Sequence, residues 1–211
     1  MKTEQLVASL VADRAGSAMP LGRSVGRAVL AGALVSLMIF AIEFGPRVDL
    51  SAAFATWRFD LKLVLVLAAL VAAAATCLAM ARPVTTMRWQ WAVLPVLLLS
   101  AAALGTELAV LPADTWRARL VGSNALVCLT AIPLFALAPL AALLLVLRRA
   151  APASPALAGA AAGALAAAAA AAIYAFHCFD DSPLFVLTWY PLAAIPVALV
   201  GAAVGRRLLR W

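Results

Sequence analysis

One histidine and three cysteines are all that the 211-residue sequence offers for imidazole or thiol chemistry. His177 and Cys178 are adjacent, in His177-Cys178-Phe179-Asp180-Asp181, and Cys128 lies 50 residues earlier. Soft thiolates with an imidazole suit thiophilic cations. Two thiols brought together can instead form a disulfide, if their Cα atoms come within about 7 Å. The carboxylates of Asp180 and Asp181 act against a thiolate, which is favoured by cationic neighbours. Three readings of Cys128 and Cys178 therefore stand together: a structural disulfide, two unpaired structural thiols, and a reactive or metal-binding pair. The third would recruit His177, with Asp180 and Asp181 in support. Cys77 reads as a small buried hydrophobe. No phosphate-binding glycine loop, H-E-x-x-H, G-x-S-x-G or C-x-x-C is present. One histidine cannot build a nucleophile–base pair with its orienting partner, so neither enzymatic activity nor a cofactor is expected.

The elements that must position these residues follow from composition. Hydrophobic residues make up 67% of the chain and charged residues 12%, with a mean hydropathy of +1.07. So little polar surface excludes a water-soluble enzyme, a disordered chain and a large catalytic domain outside a membrane. Six apolar runs are each long enough, or nearly so, to cross a bilayer: 28–44, 63–81, 91–111, 125–147, 157–176 and 184–204. The fold class is all-α, a polytopic membrane protein of six transmembrane helices. The fourth helix should start at Ala125, after Gly122-Ser123-Asn124, with Ser or Asn as its cap.

Eleven of the sixteen Lys and Arg fall on one side of this arrangement: Lys2, Arg14, Arg23, Arg27, Arg82, Arg88, Arg148, Arg149, Arg206, Arg207 and Arg210. Seven of the nine acids fall in or near the other. Because basic residues stay on the cytoplasmic side, both termini are expected there, and a net charge of +7 reports topology rather than nucleic-acid binding. Cys128 and Cys178 then share one depth at the outer interface, where disulfides persist. Three regions result: a cytoplasmic amphipathic segment (1–27), a six-span membrane domain (28–204) and a basic cytoplasmic tail (205–211).

In the N-terminal segment Leu6, Val7, Leu10 and Val11 form an apolar helical face. Its polar face is nearly charge-balanced, unlike the Lys/Arg-rich helices that lie on membranes. A docking helix for a protein partner stands beside the membrane-surface reading. Gly159/Gly163 and Gly201/Gly205 have the G-x-x-x-G spacing that lets helices approach closely. Packing of the fifth span on the sixth is the first expectation, a homo-oligomer seam the second. Within the spans only Glu43 and Glu107 are ionisable. Glu43 is expected to pair with Arg47 at i,i+4; Glu107 has no evident partner. A small permease or metal-efflux protein remains the alternative class, although it would need polar groups through the midplane.

Several stretches together resemble the NrsF-like family of bacterial inner-membrane proteins. They are the opening Met1-Lys-Thr-Glu-Gln-Leu-Val-Ala-Ser-Leu10, Asn124-Ala-Leu-Val-Cys128-Leu-Thr, His177-Cys178-Phe-Asp180-Asp181-Ser182-Pro183-Leu-Phe185, Trp189-Tyr190 and the closing Gly205-Arg-Arg-Leu-Leu-Arg-Trp211. The resemblance implies a membrane-bound anti-sigma factor. Its partner would be an extracytoplasmic-function sigma factor of the sigma-F type, with no direct contact to nucleic acid. It further implies that two outward-side cysteines, Cys128 and Cys178 here, take part in sensing oxidants or heavy metals. Cys77 matches no motif of the family.

Overall fold

The computed structural model describes residues 3–5, 20–83 and 89–210. Among them there are helices and turns but no strands. The helices are α1 (Leu21–Glu43), the single turn α2 (Leu50–Ala53), α3 (Trp57–Met80), α4 (Gln90–Val110), the short α5 (Trp116–Val121), α6 (Ala125–Leu147), α7 (Pro155–Tyr174) and α8 (Pro183–Leu208). Six helical stretches are long and apolar enough to cross a membrane, the fourth being a run over Ala113–Leu147 that includes α5 and α6. Their outward faces carry large apolar side chains such as Leu34, Met38, Leu97, Leu98, Leu145 and Leu199. That surface suits contact with lipid, which has no use for polar groups.

α6 begins at Ala125, where the sequence places it. α7 and α8 both open on Ser-Pro, with the proline at the first helical position, where its missing N–H is no loss and its fixed φ is already helical. The Ser154 hydroxyl accepts from the Leu157 amide at 3.4 Å. Pro95, Pro133, Pro139, Pro191 and Pro196 all lie inside helices, tolerated because neighbouring groups can satisfy the backbone they free. α1 and α3 start earlier than their apolar runs, at Leu21 and Trp57. Arg23, Arg27, Arg58, Asp60 and Lys62 consequently sit on helical turns rather than in loops. Hydropathy alone misses such turns because a charge ends an apolar run without ending a helix.

α7 is the most buried of the six and α4 the least. Alanines and glycines make up most of α7, so α8, α6, α3 and α1 can all pack closely around it. The closest approach is between α7 and α8. A Cβ on Gly159 would overlap the Gly201 carbonyl, one on Gly163 the Val197 carbonyl, and one on Gly205 the Pro155 carbonyl. The two G-x-x-x-G motifs thus meet each other within one chain. α1 crosses α6 at Gly32, against the backbone of Pro139. There the Ser36 hydroxyl reaches the carbonyls of Phe135 (2.6 Å) and Gly32 (3.0 Å), a polar contact of the kind that ties helices together in lipid.

Candidate functional site: two buried thiols under a charged clasp

Cys178 lies in the segment between α7 and α8. The last turn of α7 continues into it, with the amides of His177 and Cys178 both donating to the Tyr174 carbonyl. Cys128 sits on the first turn of α6, its amide donating to the Asn124 carbonyl at 2.8 Å. The two are fully buried in one apolar cluster with Tyr174, Phe185, Tyr190 and Phe135. Both are free thiols, as is Cys77. The Cys178 Sγ–H donates to the Asp180 carbonyl at 3.7 Å. Burial pushes the Cys178 thiol up from its ordinary range, against the pull of Lys62.

The two aspartates that follow do different work. Asp180 reaches across to α6 and accepts from the amides of Ser123 (2.9 Å) and Asn124 (2.8 Å) and from the Asn124 side chain (3.1 Å). The start of α6 is therefore capped by a carboxylate from another segment, where the helix dipole favours negative charge. Neither Asn124 nor Ser123 caps it from within, as the sequence suggested; Asn124 makes no side-chain cap bond. Gly122, at φ +59°, admits this arrangement, since a side chain there would collide with Asp180 and Phe185.

Asp181 closes a charged clasp. Its carboxylate accepts from Lys62 Nζ at 2.7 Å and from Arg47 at 2.8 Å. Both cations also donate to the Cys178 carbonyl, Lys62 at 2.7 Å and Arg47 at 3.3 Å. The Lys62 side chain is 0% exposed and that of Asp181 15%. Arg47 further pairs with Asp49 at 2.7 Å. These hydrogen bonds, those to Asp49 foremost and to Asp181 next, hold the guanidinium above its ordinary range, and Asp49 is held below the usual carboxylate range by Arg47. Arg47 does not take Glu43, the partner expected from spacing. α1 ends at Glu43 and Gly45, at φ +68°, turns the chain away. The helical i,i+4 geometry is gone before Arg47 is reached.

Glu107, without a partner in the sequence reading, is fully buried and doubly satisfied. Arg58 Nε donates to it at 3.0 Å and the Ser182 hydroxyl at 2.8 Å. Only Ala103 and Glu107 of α4 are buried, so this carboxylate is the polar anchor of an otherwise peripheral helix. At the same end, the Trp189 indole donates to the Leu120 carbonyl at 2.7 Å, joining α8 to α5.

His177 stands apart from the charged groups. Its Nδ1 is 3.0 Å from the Gly45 carbonyl, which requires the proton on that nitrogen. The ring is edge-on to Phe44 at 5.1 Å and to Phe40 at 6.5 Å, and 6.0 Å from Tyr174. Among the described residues no group of three or more His, Cys, Asp and Glu is placed to hold a metal ion. Of the candidates from sequence, the fold brings Cys128, Cys178, Asp180 and Asp181 into one end of the bundle. Leu6, Val7, Leu10 and Val11 lie outside the described residues. Sequence reasoning missed Lys62 and Arg47 as partners of Asp181, and Tyr174 and Tyr190 beside the thiols. The available signal was a lysine six residues into an apolar helix, which lipid would not tolerate without a buried partner.

The family model described as "NrsF: Negative regulator of sigma F" matches residues 10–211, nearly the whole chain. No curated protein and no solved structure matches it. That coverage takes in the paired helices, both thiols and the clasp around them, and the chain belongs to the NrsF family of negative regulators of sigma F.

Proposed function

We propose that this protein is an inner-membrane anti-sigma factor. It would hold an extracytoplasmic-function sigma factor at the cytoplasmic face and release it when an oxidant or a thiophilic metal alters Cys128 and Cys178 on the outer side. Both termini face the cytoplasm in this reading, by the distribution of Lys and Arg. The face Leu6, Val7, Leu10 and Val11 docks the sigma factor. The observation that carries the proposal is the way the two buried thiols are tied to helices. Cys128 is part of α6, whose start is capped by Asp180. The Cys178 carbonyl is held by Lys62 of α3. A disulfide or a metal–sulfur bond at this point changes the packing of α3, α6, α7 and α8 together, a bistable element of the kind switches use. A 100-fold release needs coupling of ~2.7 kcal/mol, within the range of one disulfide.

A permease is the weaker reading. The buried polar and charged side chains among the described residues are Ser36, Arg47, Lys62, Glu107 and Ser182. All but Ser36 belong to the clasp end, which leaves no charged path through the bilayer.

Affinity purification of the tagged protein from mild detergent is expected to bring down a sigma factor identifiable by mass spectrometry. Leu6→Asp with Leu10→Asp should abolish this, while the protein remains in the membrane fraction. Recovery of the sigma factor by the double variant would move the docking surface to the inner loops. Absence of any sigma factor with the unaltered chain would refute the proposal.

A further inference from the structure

Tyr174 and Tyr190 are buried side by side, ring centroids 6.0 Å apart, and among the described residues neither hydroxyl has a hydrogen-bond partner. Buried hydroxyls ordinarily find one. Both lie with Cys178 in one buried cluster, and the Cys178 amide donates to the Tyr174 carbonyl at 3.1 Å. The thiol proton is already committed to the Asp180 carbonyl, so the sulfur lone pairs are free to accept. Lys62, whose Nζ sits on the Cys178 carbonyl, adds a positive field. The other titratable groups facing this sulfur are Asp180 and Cys128.

We propose that Tyr174 and Tyr190 are hydrogen-bond donors for the negative charge that forms on the Cys178 sulfur when its thiol gives up its proton, making Cys178 the first of the two thiols to react and Cys128 the second. Preorganised donors that meet charge only as it forms accelerate a reaction without stabilising its starting state, and two unpaired hydroxyls are such donors. With a hydroperoxide the sulfur of Cys178 attacks one oxygen and the O–O bond breaks. The departing oxygen leaves as alcohol or water after taking a proton, and a sulfenic acid remains. The Cys128 thiol then displaces that oxygen as water, leaving a disulfide. The inference rests on the two thiols being the reactive pair; it concerns their order and their donors.

The test uses the full-length protein in detergent, with hydrogen peroxide as oxidant and dimedone to trap sulfenic acid, read residue by residue by mass spectrometry. With Cys128→Ser, Cys178 should be trapped on the order of tenfold faster than Cys128 is with Cys178→Ser. Adding Tyr174→Phe and Tyr190→Phe should slow Cys178 by a similar factor, with the thermal midpoint unchanged or raised, because only orphan hydroxyls are lost. Trapping of Cys128 at an equal or higher rate overturns the order, and unchanged Cys178 trapping in the Phe variants overturns the donors. Faster trapping at Cys77 together with Cys178 would show a loosened fold, and also counts against the donors. Because no sigma factor is present, these outcomes are independent of whether the thiols control its release.

Discussion

Asp181→Ala is expected to cost about 3–5 kcal/mol, the range for breaking a buried ion pair by removing one partner. The reason is what stays behind. Lys62 would keep its charge with no carboxylate in contact, holding only the Cys178 carbonyl. Arg47 would suffer less, since Asp49 remains at 2.7 Å. The loss should appear as a large drop in the thermal unfolding midpoint in detergent. Lys62→Met combined with Asp181→Leu should recover much of it, because an apolar replacement of a buried pair is often neutral or stabilising. An equal midpoint for Asp181→Ala and the unaltered protein would mean that the clasp contributes nothing to holding the 176–182 segment. Under the proposed relay, Asp181→Ala also raises sigma-dependent transcription in unstressed cells, because the segment is no longer fixed to α3.

Gly159→Leu should be at least as damaging. The first side-chain carbon would already overlap the Gly201 carbonyl, and backbone cannot rotate aside as a side chain does. α7 and α8 would have to separate, and α7 is the helix on which α1, α3, α6 and α8 pack. Overpacking costs typically 1–3 kcal/mol where side chains can shift, so a loss above ~3 kcal/mol is expected here, seen as failure to accumulate in the membrane fraction. Gly105→Leu is the matched control. Nothing lies within 4 Å of the Cβ position on that glycine, and accumulation should be unchanged. Accumulation of Gly159→Leu at the level of Gly105→Leu would mean that the two motifs do not hold α7 to α8.

The spans and the pairing of small residues were legible in the sequence because both are local patterns: a run of apolar side chains, and glycines four apart. The start of α6 at Ala125 was legible for the same reason, although its cap was not, since Asp180 is 56 residues away from Asn124. The shared location of Cys128 and Cys178 followed from counting spans. What surrounds them did not. Arg47 looked like the partner of Glu43 because spacing assumes that a helix continues, and Gly45 ends it. Lys62 looked like one more interfacial charge, because hydropathy cannot distinguish a lysine facing water from one folded inward onto Asp181. Glu107 needed Arg58 from α3 and Ser182 from the start of α8, a meeting that only tertiary packing brings about.

The relay from the thiols to transcription is tested most directly by replacing Cys128 and Cys178 with Ser, singly and together, and following a sigma-dependent promoter under peroxide, cadmium or chromate. Serine is near in size, so the buried cluster should remain folded, and Cys77→Ser serves as the control. The account predicts that the double variant represses normally and no longer responds, whereas Cys77→Ser responds as the unaltered protein does. A full response from the double variant would contradict it.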